Sequence, residues 1–369
     1  MKIICSKSNL VKGVSIVSKA VPSKTTMPIL ECILIDATTD IIKLTANDME
    51  LGIETIIEGE IVKKGMIAID ARIFSEIVRK LPDNEVVIET DENLQTTITC
   101  EKSKFNIPSR AGDEFSYLPY IDKNETITLS QFTLKEIIRQ TIFSIADNDS
   151  NKLMTGELLQ IEGNMLRVVS LDGHRISIRK AELKDNYASK KVVVPGKTLM
   201  EVSKILSGEV DNEVIISFTN NHIVFEFDNT VVVSRLIEGE YFRIDQMLNG
   251  DYETKVHINK KELLSCIDRA TLLIKEGDKK PIIMNISDES MELTINSVIG
   301  SMNEDISINK NGKDLMIGFN PKFLIDALRV IDLEEIDMYM LNSKSPCIIR
   351  DEEDTYTYLI LPVNFSVNR

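Results

Sequence analysis

Apolar residues recur at three- and four-residue steps in several stretches of this chain, and between those stretches they alternate with polar residues at strand spacing. Leu134, Ile137, Ile138, Thr141, Ile142 and Ile145 give one apolar face to a helix over 131–146. A strand-like run follows at 154–161, then a turn at Glu162-Gly163-Asn164, a second apolar run at 166–170 and the tight sequence Asp172-Gly173-His174-Arg175. Two weaker copies of this layout flank it. Opening strands at 2–5, 126–129 and 255–258 each lead into an amphipathic helix, carried by Leu10, Val14 and Val17 in the first copy and by Leu263, Ile267 and Ala270 in the third.

A second helix makes the repetition quantitative. Segments 71–81, 196–206 and 321–331 align by residue type. From Arg72 to Lys197 is 125 positions, and from Lys197 to Lys322 is 125 again. An acidic turn and a β-branched run follow each segment, predicting strands at 86–90, 214–218 and 336–340. Alternation elsewhere predicts antiparallel strands at 43–46, 52–58, 96–100, 191–194, 223–227 and 356–361. Each copy thus has two helices on an antiparallel sheet of about eight strands, an α+β domain. The opening strands set boundaries at 1–124, 125–252 and 253–369, with polar linkers at Ile121-Asp122-Lys123-Asn124 and Asn249-Gly250-Asp251.

At 369 residues and 43% hydrophobic composition the chain is long enough for several domains of about 100–200 residues. No apolar run approaches the roughly 20 residues a membrane span needs, and the N-terminus lacks the apolar core of a signal peptide, so a cytoplasmic protein without a membrane partner is expected. Cys5, Cys32, Cys100, Cys266 and Cys347 are odd in number and dispersed in apolar runs, as reduced core thiols are. His174, His222 and His257 form no HExxH and the chain has no CxxC, GxGxxG or P-loop, so no metal, cofactor or catalytic residue is expected.

Charge changes the picture. The net charge of −15 argues against a surface that holds nucleic acid by bulk attraction. Its distribution points the other way. Each aligned helix carries two cations seven residues apart, Arg72 and Arg79, Lys197 and Lys204, Lys322 and Arg329, which two helical turns bring to one side, off the apolar face. Six helical windows (7–20, 69–81, 131–146, 196–208, 259–270 and 320–330) hold 15 basic and 7 acidic residues, against 43 and 58 in the whole chain. Helices lining one surface would make that surface positive on an acidic protein. Point-like cations on phosphates carry no sequence information, so the implied partner is duplex nucleic acid held without base reading.

At these residues the chain resembles the bacterial sliding clamp family, the β subunits of replicative DNA polymerase. Its marks are Asp172-Gly173-His174-Arg175, Asn47-Asp48-Met49-Glu50-Leu51-Gly52-Ile53, Pro28-Ile29-Leu30 and Leu359-Ile360-Leu361-Pro362-Val363, on a threefold layout spanning Met1 to Phe365. The resemblance implies three tandem DNA-clamp domains, two protomers closing head to tail into a ring, and helices facing a central hole. A ring retained by topology needs only weak, screened contacts with DNA. It also implies as partners a replicative polymerase, a clamp loader and other proteins bearing clamp-binding motifs.

In such clamps a hydrophobic pocket between the second and third domains receives short partner peptides. The resemblance assigns one side of it to Met154, Leu171, Gly173, His174, Arg175 and Ile176. Ser345, Leu359, Ile360, Leu361, Pro362 and Val363 form the other side. Apolar walls would bury a ligand at about 25 cal/mol per Å² while backbone groups and Arg175 orient it. This chain departs from the family at Phe242, which replaces a pocket proline and alters the subsite beside Met247. An arginine-proline pair is missing near Asn151-Lys152, and Ser366-Val367-Asn368-Arg369 extends past the common end. For DNA, Lys24, Arg72 and Lys197 match basic family positions. At the subunit contact Phe105 and Ile107 would meet Leu272 and Leu273 of the next protomer.

Two other readings start from the same residues. His174 beside Asp172 has the composition of a catalytic base with its orienting carboxylate, as in a hydrolase, although no serine or cysteine lies in a recognisable triad context. A tandem-domain interaction scaffold without a DNA role would share the repeat but has no need of three matched cation pairs.

Overall fold

The computed structural model describes residues 1–119, 121, 125–147, 150–248, 251–275 and 280–365. Seven helices are described: α1 (Lys7–Val17), α2 (Ala71–Lys80), α3 (Gln131–Thr141), α4 (Gly196–Ile205), α5 (Asp245–Leu248), α6 (Lys260–Thr271) and α7 (Pro321–Val330). Local chemistry starts several of them. Ser6, Asp70, Asn259 and Asn320 each accept a backbone N–H of the first turn and satisfy a donor the helix itself cannot.

The chain packs as two compact units, residues 1–132 with 201–236 and residues 133–200 with 237–369. The first unit holds a five-stranded sheet in the order Glu60–Lys63, Lys2–Ser6, Glu85–Thr90, Gln95–Cys100, Ser103–Pro108. Its nine-stranded sheet runs from Arg110–Ala111 through Gly65–Asp70, Cys32–Ala37, Ile42–Asn47 and Leu51–Ile57. It continues through Thr230–Arg235, His222–Phe227 and Glu213–Phe218 to Glu125–Ser130. In this unit α1 and α2 pack together, burying Leu10, Val14, Val17, Phe74 and Val78.

The second unit holds a seven-stranded sheet in the order Gly156–Leu171, Arg175–Pro195, Tyr356–Ile360, Cys347–Arg350, Glu335–Met340, Thr254–Asn259, Asn309–Gly312. Its four-stranded sheet runs Ser301–Ser307, Ser290–Asn296, Ile282–Ser287, Leu315–Phe319. Helices α6 and α7 pack together over a core that contains Leu263, Ile267, Leu324, Leu328, Met284 and Phe319.

Sheets therefore run through the repeats instead of stopping at them. In the first unit Leu51–Ile57 pairs with Thr230–Arg235, and Thr55 and Thr230 share a buried hydroxyl hydrogen bond of 2.9 Å. In the second, Arg175–Pro195 pairs with Tyr356–Ile360 by the same rule: the strand after a copy's hairpin takes the last strand of the following copy. This rule leaves two edges without a partner among the described residues: Ser103–Pro108, the first copy's counterpart of Thr230–Arg235, and Ser301–Ser307, which follows the hairpin of the third.

Three local expectations are corrected. The helix expected over 131–146 ends at Thr141 and tightens into a 3-10 turn over Ile142–Ser144. The strand expected from 154 begins at Gly156, after a 3-10 turn over Lys152–Thr155. Glu162-Gly163-Asn164 lies inside one continuous strand: pairing slips on both sides of Gly163, which takes φ 62°, because the partner strand bulges between Glu182 and Lys190, and it resumes at Met165. The partner strand is long enough to keep the backbone hydrogen-bonded on both sides, so the polar triplet does not break it. The expected linkers lie largely, and the tail Ser366-Val367-Asn368-Arg369 wholly, outside the described residues.

Candidate functional site

The Asp172 hairpin tip is built by one carboxylate. Leu171 and Ile176 pair across the strands, Gly173 takes φ 83°, and Asp172 Oδ1 accepts the backbone N–H of His174 at 3.0 Å and of Arg175 at 3.1 Å. Asp172 Oδ2 accepts Arg175 Nε at 3.0 Å. The Arg175 side chain is 8% exposed; its Nη1 donates to Asp326 at 2.7 Å, its Nη2 to the Phe143 carbonyl, and its guanidinium lies 4.5 Å from the Phe323 ring centroid. Two carboxylates of the protein share its charge. The tip also offers His174, whose ring stacks on Phe323 with centroids 6.0 Å apart, and whose carbonyl accepts the N–H of Leu361 at 2.9 Å.

Below the tip, one apolar cluster gathers five residues of the expected pocket. Leu171, Ile176 and Leu359 are buried in it with Leu158, Val169 and Ile178, and Met154 and Phe242 pack on it half-buried. Tyr241 holds Phe242 there: its hydroxyl donates to the Val169 carbonyl at 3.3 Å and the two rings meet edge-on at 5.6 Å. Met247 and Leu361 are exposed at the surface, and Pro362 is half-buried.

Three residues sit elsewhere. Ile360 is buried in the other core of this unit, with Leu324 and Tyr358, because strand alternation turns it away from Leu359. Ser345 lies in a turn, its N–H bonded to Asn342. Val363 is tied to the four-stranded sheet through its N–H to the Gly318 carbonyl at 2.8 Å. A groove of about 500 Å³ that the sequence did not reveal adjoins the cluster along Ile178 and Leu248, with Arg167, Lys180 and Arg350 on its walls.

The acid–base reading of His174 loses its orienting group. Both Asp172 oxygens are taken by backbone N–H groups and by Arg175, while the imidazole stacks on Phe323.

The six cations of the aligned helices are all exposed, opposite buried faces. On α2 the buried residues are Ala71, Phe74, Ile77 and Val78, on α4 Thr198, Leu199 and Val202, and on α7 Leu324, Ile325, Ala327 and Leu328. Arg79 pairs with Glu76, Lys204 with Glu201 at 2.8 Å, and Arg329 with Asp268 at 3.2 Å. Exposed pairs of this kind are worth about 0–1 kcal/mol and are screened by salt, so these cations can exchange a carboxylate for a phosphate. Lys24 is exposed too. Phe105 and Leu272 are exposed, Ile107 is half-buried, and Leu273 packs on the core of its unit. All five cysteines are buried and unpaired.

One buried group has no sequence signature. Glu157 is fully buried and, among the described residues, neither carboxyl oxygen has a hydrogen-bond donor. The hydroxyl of neighbouring Thr141 is committed to the Ile137 carbonyl at 2.7 Å. Burial pushes the Glu157 carboxyl up to about 8, with Thr141 pulling weakly the other way.

Three α+β copies joined through shared sheets, with matched cations on their helices and an apolar cluster under the Asp172 tip, define a sliding-clamp architecture. Family models described as the N-terminal, central and C-terminal domains of the DNA polymerase III beta subunit match residues 1–119, 128–242 and 245–364. The chain belongs to the DNA polymerase III beta subunit family. The beta sliding clamp of Staphylococcus epidermidis is 36% identical over 356 residues, 94% of each chain. A structure from Eubacterium rectale described as a DNA polymerase III beta subunit is 73% identical, with a TM-score of 0.96 over 99% of this chain and 100% of that one. The DNA polymerase sliding clamp from Bacillus subtilis is 36% identical, with a TM-score of 0.94 over the same shares.

Proposed function

We propose that this chain is a processivity factor: two protomers close around duplex DNA without reading its sequence and tether a replicative polymerase, a clamp loader and other partners by short peptides. The single observation that carries the reading is the set of six exposed cations at matched positions of α2, α4 and α7, on a chain of net charge −15. A polyanion meets attraction on those helices and repulsion over most of the remaining surface. Such contacts are weak and exchangeable, which suits sliding. The working copies are residues 1–124, 125–252 and 253–369. The chain's contribution is binding, without chemistry of its own.

Closure follows from the pairing rule of the sheets. The edge Ser103–Pro108 is what a preceding copy would accept after its hairpin, and Ser301–Ser307 is where a following copy would dock. A second protomer supplies both, head to tail. Phe105 and Ile107 lie on the first edge, and Leu273 stands at the root of the second, 3.8 Å from where a Cβ on Gly300 would be. The peptide pocket is the cluster under the Asp172 tip, with Met154, Leu171, Ile176, Phe242, Met247, Leu359 and Leu361 as contacts.

A single contact of this size binds at about micromolar strength, near −8 kcal/mol. Deleting residues 361–369 is expected to abolish capture of a polymerase-derived peptide while sedimentation still gives the mass of a dimer. Unchanged peptide titration would place the pocket elsewhere.

A further inference from the structure

The Asp48 hairpin of the first copy reproduces the Asp172 tip bond by bond. Asp48 Oδ1 accepts the N–H of Glu50 at 3.0 Å and of Leu51 at 2.7 Å, as Asp172 accepts those of His174 and Arg175. Met49 takes φ 75° where Gly173 takes φ 83°. The Glu50 carbonyl accepts the N–H of Arg235 at 2.9 Å, as the His174 carbonyl accepts that of Leu361 at 2.9 Å. Beside this tip lies a groove of about 410 Å³. Its walls are Met49, Leu51, Leu118 and Val233, with Tyr117 beside them. The loop that carries Leu118 is seated by the Asn47 amide, which donates to the Ser116 carbonyl at 2.8 Å, and by Gly52, where a Cβ would stand 2.1 Å from Leu118.

The two tips differ at three matched positions: Glu50 stands for His174, Leu51 for Arg175, and Arg235 for Leu361. Where the Asp172 tip meets Leu361, the Asp48 tip meets Arg235. Arg235 lines the groove, is exposed, and makes no ion pair among the described residues. Across the strands it pairs in register with His222, which also lines the groove. An occupant therefore meets apolar walls and an uncommitted guanidinium. Glu50, the carboxylate among the lining residues, would oppose an anionic ligand.

We propose that the groove at the Asp48 tip is a second peptide-docking site, taking an extended partner segment in which apolar side chains flank an aspartate or glutamate. The class of occupant rests on reading the Asp172 cluster as a peptide pocket. The acidic group is assigned by Arg235 alone.

The test uses the full chain with 13C-methyl methionine and, as probe, a capped hexapeptide of alternating leucine and aspartate. Met49 reports on the new groove, and Met154 and Met247 on the Asp172 pocket. Both sets are expected to shift. Arg235→Glu should weaken the Met49 response about tenfold or more, and Glu50→Gln should strengthen it about threefold, while the Met154 response holds. A peptide with asparagine in place of aspartate should lose the Met49 response.

If Met154 and Met247 respond while Met49 stays silent, the second site is overturned and the Asp172 pocket stands. If Met49 alone responds and Arg235→Glu erases it, the second site stands and the Asp172 pocket falls. Silence from all three overturns both. A Met49 response indifferent to Arg235→Glu or to asparagine overturns the proposed acidic chemistry.

Discussion

The Asp48 and Asp172 hairpins share a tip geometry and differ in what stands behind it. Behind Asp172 is a buried arginine held between Asp172 and Asp326 and against Phe323. The residue at the same step of the Asp48 tip is Leu51, buried among apolar neighbours. The same contrast recurs one strand earlier. Opposite the residue two before each second helix stand Ile33, Glu157 and Ile282, paired with Ile69, Val194 and Phe319, and only the middle copy puts a carboxyl there. The tip is thus made by local acceptors, while the second copy alone sets buried ionisable groups, Arg175 and Glu157, around it. A duplicated fold can hold its backbone fixed and vary the polarity behind it.

The largest expected effect comes from Glu157. Its carboxyl titrates at about 8 in the folded protein, against 4.5 for the ordinary group, so the folded state keeps a proton that the unfolded chain has released between those values. Stability is therefore expected to fall as pH rises from 4.5 to about 8 and to level off above, by on the order of 5 kcal/mol. Urea unfolding across that range measures it. Glu157→Ile, the residue of the other two copies, should flatten this part of the profile; an unchanged slope would mean that Glu157 is not its source.

Next in size is the pair of tips. Asp172→Ala leaves Arg175 buried with one carboxylate fewer and should cost about 3 kcal/mol, whereas Asp48→Ala removes the acceptor of the Glu50 and Leu51 N–H groups and should cost about 1 kcal/mol. Equal losses in chemical denaturation would erase the distinction drawn between them. Smallest in stability is Lys197→Glu with Lys204→Glu on α4. It should change unfolding by no more than about 0.5 kcal/mol and yet slow loading onto DNA and sliding. Unaltered behaviour at low salt would count against a DNA-facing row.

The repeat, the helices and most strands were legible because each rests on local pattern. The spacing from Arg72 to Lys197 to Lys322 and the apolar steps of Leu263 and Ile267 lie within a few residues of one another or recur at a fixed offset. What stayed hidden depends on distant partners. Asp326 takes up Arg175 from 151 positions away, strand alternation sends Ile360 into a different core from Leu359, and Glu162-Gly163-Asn164 is spanned by a partner strand that no turn signal can foresee. The second groove needed coordinates as well, since Arg235 reaches the Asp48 tip only through sheet pairing with Leu51–Ile57.

The central claim is that confinement, and not grip, keeps this protein on DNA. Loading it with a clamp loader onto a nicked circular duplex and then cutting the circle once, at constant salt, tests this directly. Enclosure predicts long retention on the intact circle and prompt release from the cut ends; equal retention before and after cutting would contradict it.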